Sequence, residues 1–366
     1  MIYAVLARTL RAANFRKRTT MRKSIISVIT LSLLCGSVAA QTAWRQEASG
    51  TTASLRGLSV VSDKVAWASG TQGTVLRTVD GVRWQVINVA DADKLDFRDI
   101  QAFDDKTAVI MSAGPGDTSR IYRTSDGGAT WRLQATNQHA EGFWDAMAFW
   151  DANNGILFGD PVKGKFEVYV TSDGGSSWKE VQGSGLEALE SEGAFAASGT
   201  CLTVAGKSDA WIGSGGAKTS RVFHSTDRGM TWKAAPVSIP AGAPAKGVFS
   251  VGFLNGRTGM AVGGDYKETK LATLNGVRTE DGGATWAPAA VLPEGFMSVV
   301  MPVPGAPESF VAAGLAGSGV SRDGGKSWKV LDLTAVNTVG FASPTAGWAI
   351  GPKGLVMKYA GPALSR

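Results

Sequence analysis

Cysteine is scarce: Cys35 and Cys201 are the two present in 366 residues. A network of disulfides is therefore excluded as the source of stability. Histidine is as scarce, with His139 and His224 alone. That disfavours a histidine metal site or a Ser-His-Asp triad, since each needs imidazole beside particular partners. The apolar run over residues 25–35 is too short to cross a bilayer as a helix. Helical periodicity is nearly absent. Apolar runs are short, β-branched and broken by glycine, of which there are 47. Two glycine-rich stretches, 213–216 and 314–319, open no helix, so neither supports a dinucleotide site.

The apparent excess of positive charge is local. Residues 1–40 hold seven of the 37 Lys and Arg and no acid, which leaves 30 bases against 31 Asp and Glu in the rest. The remainder is close to neutral, and the charge argument for nucleic acid or an anionic membrane disappears. Met21-Arg22-Lys23, the apolar run to Cys35 and Ser37-Val38-Ala39-Ala40 have the order of a secretory signal peptide, cut after Ala40. Leu34 is too bulky for a lipobox at Cys35. Residues 1–20 read as an extension ahead of a true start at Met21. The expected division is therefore a leader over 1–40 and a single domain over 41–366. The expected product is a monomer, periplasmic or secreted, that does not span the membrane after cleavage. Cys201 then stands alone, as a buried strand thiol.

What the chain has in quantity is one turn. Thr124-Ser125-Asp126-Gly127-Gly128-Ala129-Thr130-Trp131 follows the pattern Ser/Thr-x-Asp-Gly-Gly-x-x-Trp. The pattern returns at 171–178, at 225–232 with Arg228 for the first glycine, at 279–286 and at 321–328. A copy one residue shorter occupies 78–84. An aspartate followed by glycines suits a tight hairpin, because the carboxylate accepts nearby amides and glycine reaches positive φ. Asp80, Asp126, Asp173, Asp227, Asp281 and Asp323 are thus read as structural. The motif resembles the Asp-box, or BNR repeat, which joins the third and fourth strands of a propeller blade.

The tryptophans of the six turns stand at 84, 131, 178, 232, 286 and 328, at intervals of 47, 47, 54, 54 and 42. Such a period, with four strand-like runs per unit, predicts an all-β propeller. A seventh unit over 336–359 has three strands and no turn. The segment 42–48, with Trp44 as its tryptophan, is expected to supply the missing strand. The prediction is a seven-bladed ring whose last blade is closed by the N-terminal strand, leaving no open sheet edge at the join. The stretch 236–247, rich in Pro and Gly, is expected to be an inter-blade loop.

Propeller sites form where loops before the first strands and after the second strands meet at the axis. That geometry selects Arg98, Trp144, Asp145, Asp160, Glu192, Asp265 and Tyr266 as the binding set. Asp160, Glu192 and Asp265 are the carboxylates that glycoside hydrolysis would use, one as acid and one as base or nucleophile. Trp144 is read either as a sugar platform or as packing between blades. A sialidase is disfavoured, since Arg120-Ile121-Tyr122 lacks the proline of that family's motif.

Across residues 42–360 the chain resembles the photosystem II stability/assembly factor-like propellers, a group of the sialidase-like superfamily with non-photosynthetic bacterial members. The resemblance rests on the six turns, Gly159-Asp160-Pro161, Glu192-Gly193-Ala194-Phe195 and Gly263-Gly264-Asp265-Tyr266. It implies an exported ring that holds a protein partner, as the photosynthetic members hold newly made membrane subunits. The expected function is thus a non-enzymatic protein- or peptide-binding module of the cell envelope, with no cofactor and no metal. The alternative is a glycoside hydrolase or glycan-binding propeller.

Overall fold

The computed structural model describes residues 43–271 and 273–365. The leader, its cleavage point and the choice between Met1 and Met21 lie outside the described residues. Seven four-stranded antiparallel sheets stand around one axis. Blade 1 is Leu55–Val60, Ala66–Gly70, Thr74–Thr78 and Gln85–Asn88. Blades 2 to 6 begin with Phe97–Ala102, Trp144–Phe149, Leu202–Ala205, Lys246–Phe253 and Val299–Pro302, and each continues outward with three more strands. Blade 7 is Thr338–Ser343, Ala346–Ile350, Val356–Tyr359 and, outermost, Trp44–Glu47. Each first strand touches the first strand of the next blade, and blade 7 touches blade 1, so the ring is closed.

The repeated turn explains the spacing of the blades. Asp126 Oδ1 accepts from the Thr130 amide at 2.9 Å and from Thr124 Oγ1 at 2.8 Å, while its Oδ2 accepts from Thr130 Oγ1 at 2.6 Å. Asp173, Asp227, Asp281 and Asp323 repeat this set. The shortened copy keeps two amide bonds, from Val82 and Arg83 to Asp80. The second glycine of each full turn lies against the preceding blade. At Gly229, φ is +86° and a Cβ would stand 2.7 Å from Ile156 Cδ1 of blade 3. Arg228, in the place of the first glycine, also has positive φ, +62°. Its guanidinium is occupied by Lys207 O and Asn154 Oδ1, which offset that strain.

Tryptophans carry the contact from blade to blade. Trp131 of blade 2 meets Trp67 of blade 1 edge to face at 6.2 Å, and Trp84 of blade 1 meets Trp348 of blade 7 at 6.2 Å. Trp67 Nε1 crosses to Asp104 O, and Trp211 Nε1 to Gly282 O. Trp67 and Trp211 thus bury their rings and still satisfy their one donor, whereas Trp131 Nε1 is buried without a partner.

Trp44 does the same work at the closure. It pairs with Tyr359 across the ladder, packs on Tyr359 and Phe341, and donates Nε1 to Ser318 Oγ of blade 6 at 3.1 Å. The absent turn of blade 7 is replaced by the C-terminal tail. Leu364 is fully buried; its amide donates to Pro344 O and its carbonyl accepts from Ser309 Oγ. The Gly324 amide makes the equivalent bond to Glu308 O in blade 6.

Two features differ from the sequence reading. Pro236 lies within the outer strand Lys233–Val237, so the loop after blade 4 is shorter than 236–247. The first 54-residue interval arises elsewhere, from residues 181–201 between blades 3 and 4, which cross the axial face instead of turning directly into the next blade. Cys201, at the end of that crossing, is fully buried and free.

Candidate functional site

Four innermost strands carry a β-bulge at the same level. The register slips between Leu55 and Gly57, Phe97 and Asp99, Trp144 and Ala146, and Val248 and Ser250. The residues skipped are Arg56, Arg98, Asp145 and Phe249. A bulge inserts an unpaired residue and turns its side chain out of the alternation. All four therefore line one axial cavity of about 480 Å³. Asp160, at the end of the second strand of blade 3, joins them, as do Phe143, Phe195, Tyr266 and Phe296.

Of the residues selected from sequence, Arg98, Asp145, Asp160 and Tyr266 line this mouth. Trp144 does not: it is buried between blades, with its ring 5.4 Å from Tyr169. The bulge turns Asp145 out of the alternation and toward the axis, while Trp144 stays in the packing with blade 2. Glu192 is a buried anchor. It accepts from Arg221 Nε at 2.8 Å, Arg221 Nη2, Ser214 Oγ at 2.6 Å and the Leu189 amide at 2.7 Å. Asp265 accepts the Lys267 amide and stands 4.0 Å from Lys246 Nζ, outside the cavity wall. The trio Asp160, Glu192 and Asp265 is thus not presented together. Arg56 and Phe249 were missed. Aligning the repeats on their second strands would have found them, because Leu55, Phe97, Trp144 and Val248 pair with Gly70, Ser112, Gly159 and Gly263.

The cavity is polar on the side of blades 1 to 3 and aromatic on the side of blades 5 and 6. Phe249 stacks on Phe195 at 3.8 Å and meets Phe296 edge to face at 4.7 Å. Tyr266, 44% exposed, stands 6.0 Å from Phe249 at the rim. Arg98 Nε is paired with Asp96 Oδ2 at 2.7 Å, and its Nη1 donates to Ala196 O at 3.1 Å. Burial pushes the Asp145 carboxyl well above its ordinary value; the Asp160 charge adds to this and Arg98 opposes it. Burial also raises Asp160, to about 6, against the pull of the Ala194 amide. Among the described residues no group of three His, Cys, Asp or Glu is placed to hold a metal ion. No helix there is long and apolar enough to cross a membrane.

Carboxyls of two kinds set an expected pH dependence. Hydrogen bonds from Thr130 and Thr285 hold Asp126 and Asp281 down to about 2. Their contribution is present above the ordinary aspartate pKa, about 4, and is lost as pH falls through about 2. Asp160 and Asp99 act in reverse. Burial raises them to about 6 and about 8, so their contribution is complete below the ordinary value and lost as pH rises through those pKa values. The urea midpoint is therefore expected to peak near pH ~4 and to fall on both sides. Asp160→Asn should remove part of the decline between pH ~4 and about 6. A midpoint that is level from acid to pH 8 contradicts this assignment.

No protein-family model matches the sequence, and no curated protein matches it. Solved structures do match in shape. YCF48 bound to D1 peptide superposes with a TM-score of 0.63 at 15% identity, covering 88% of this chain and 97% of that one. YCF48 from Cyanidioschyzon merolae gives 0.62 at 16%, covering 87% and 98%. The GH74 xyloglucanase from Xanthomonas campestris gives 0.58 at 14%, covering 88% of this chain and 56% of that one. The Pan2 WD40 domain of Neurospora crassa gives 0.58 at 12%, covering 87% and 92%. At these identities the likenesses establish one thing, that the chain has the propeller fold.

Proposed function

We propose that this protein is an exported, non-catalytic propeller that binds a peptide segment of an envelope protein at its axial mouth. The observation that carries the reading is the composition of that mouth. Arg56, Arg98, Asp145 and Asp160 offer donors and acceptors opposite a wall of Phe249, Tyr266 and Phe296. Such a pairing of aromatic anchors with a few convergent polar groups suits a peptide, whose backbone offers both donors and acceptors. YCF48 bound to D1 peptide, a structural relative, is consistent with it. Export rests on the leader read from residues 1–40.

The test is selection from a displayed library of random peptides, followed by titration of the enriched sequences. Arg98→Ala is expected to weaken them at least about tenfold, as loss of a charged hydrogen-bond donor in a partly buried site does. Failure to enrich any peptide, or equal binding to Arg98→Ala, contradicts the reading.

Asp145 and Asp160 support a second reading, since both carboxyls are raised and both line the cavity. A glycosidase needs one such acid beside an ionised partner. In that case β-glucan oligosaccharides would be cleaved and Asp160→Asn would abolish cleavage. The binding reading expects no cleavage by either form.

A further inference from the structure

Residues 194–200 form no strand, yet blades 1, 2 and 3 hold their backbone across the axis and blades 5 and 6 hold their side chains. Asp160 Oδ1 of blade 3 accepts the Ala194 amide at 2.7 Å, and Asp145 of the same blade faces the Ala196 amide. Arg98 Nη1 of blade 2 donates to Ala196 O at 3.1 Å, and Arg56 Nη1 of blade 1 donates to Ala197 O at 3.4 Å. Ser198 Oγ donates to Ser298 O, on the loop entering blade 6, at 2.7 Å. Phe195 lies flat on Phe249 of blade 5. The remaining residues of the segment, Ala194, Ala196, Ala197 and Ser198, are small. Glycines flank it, and Gly199 has a φ of +73°.

The mouth therefore already holds a piece of polypeptide, bent where the Ala197 amide returns to Phe195 O at 2.8 Å. Two arginines take its carbonyls, two aspartates take its amides, and one aromatic ring takes its single large side chain. We infer that residues 194–198 are a tethered occupant of the peptide site. An external peptide with an aromatic residue among small ones binds there by displacing them. This rests on the reading of the mouth as a peptide site, and it adds the ligand's pattern and the means of control. A site filled by its own chain binds an external ligand more weakly by the fraction of time it is open. The glycines at the ends allow the segment to leave without moving a blade.

The probe is a dye-labelled synthetic peptide, Gly-Ala-Phe-Ala-Ala-Ser-Gly, added to the full chain. Phe195→Ala removes the tethered anchor and is expected to bind it at least about tenfold more tightly than the native protein. Adding Arg98→Ala to that variant, or replacing the probe's phenylalanine by alanine, should reverse the gain. In the native protein, saturating probe should speed hydrogen exchange of the 194–198 amides, an arm that needs no variant to fold. Equal affinity for native and Phe195→Ala protein, or unchanged exchange at 194–198, overturns the inference. Library peptides that bind the mouth while leaving that exchange unchanged would overturn it too, with the peptide-site reading intact. A library that yields no peptide fails the reading itself.

Discussion

Replacing Trp44 with alanine is expected to destabilise the whole ring by about 3–5 kcal/mol, the usual range for truncating a buried tryptophan. The indole is 4% exposed, packs on Tyr359 and Phe341, and donates to Ser318 of the neighbouring blade. All three contacts belong to the closure, where the first strand of the chain zips beside the last. For domains of about 150–250 residues each kcal/mol lowers Tm by about 2–4 °C, so the variant should melt roughly 6–20 °C below the native protein. Trp44→Phe should recover part of the loss, since it restores the ring contacts without the indole donor. An unchanged melting temperature for Trp44→Ala would mean that the two ends do not hold the ring together.

Glu192→Ala is expected to be of similar size, about 3–5 kcal/mol, for a different reason. The Glu192 side chain has no exposed surface and Arg221 has 16%, so removing the carboxylate strands a largely buried guanidinium. Ser214 Oγ and the Leu189 amide lose their acceptor as well. The double variant Glu192→Ala with Arg221→Met should be more stable than Glu192→Ala alone, because no uncompensated charge remains. Urea denaturation of the two single variants and the double measures the coupling. If the changes simply add, the pair is not the anchor of the 189–193 loop. A catalytic carboxylate would behave otherwise: its removal would spare stability, as functional groups held under strain often do.

The architecture was legible because its signals are contiguous. The Ser/Thr-x-Asp-Gly-Gly-x-x-Trp turn carries its own hydrogen-bond acceptors and its own positive-φ glycines within eight residues. Counting six turns and one incomplete unit was enough to infer seven blades and a closure through Trp44. The mouth was legible in part. Asp145, Asp160 and Tyr266 lie within three residues of Gly142, Gly159 and Gly264, and Arg98 was legible from its place at the start of a first strand. Arg56 and Phe249 look in sequence like ordinary strand residues, and only the bulge beside each turns it to the axis. Glu192 could not be read correctly from its neighbours, because its partner Arg221 lies 29 residues away on the third strand of blade 4. The tail over 360–365 gave no signal at all. Its role as a stand-in for the seventh turn depends on where Leu364 lands, against Pro344 and Ser309.

The most direct test of where this molecule works is hydrogen exchange mapped by mass spectrometry, with and without a peptide selected against the native protein. The axial reading predicts that the affected amides lie on blades 1, 2, 3 and 5 beside Arg56, Arg98, Asp160 and Tyr266, and in the crossing segment 194–198. Changes confined to the Asp turns around Asp126 and Asp281, on the opposite face, or to outer strands such as Arg132–Thr136, would contradict it.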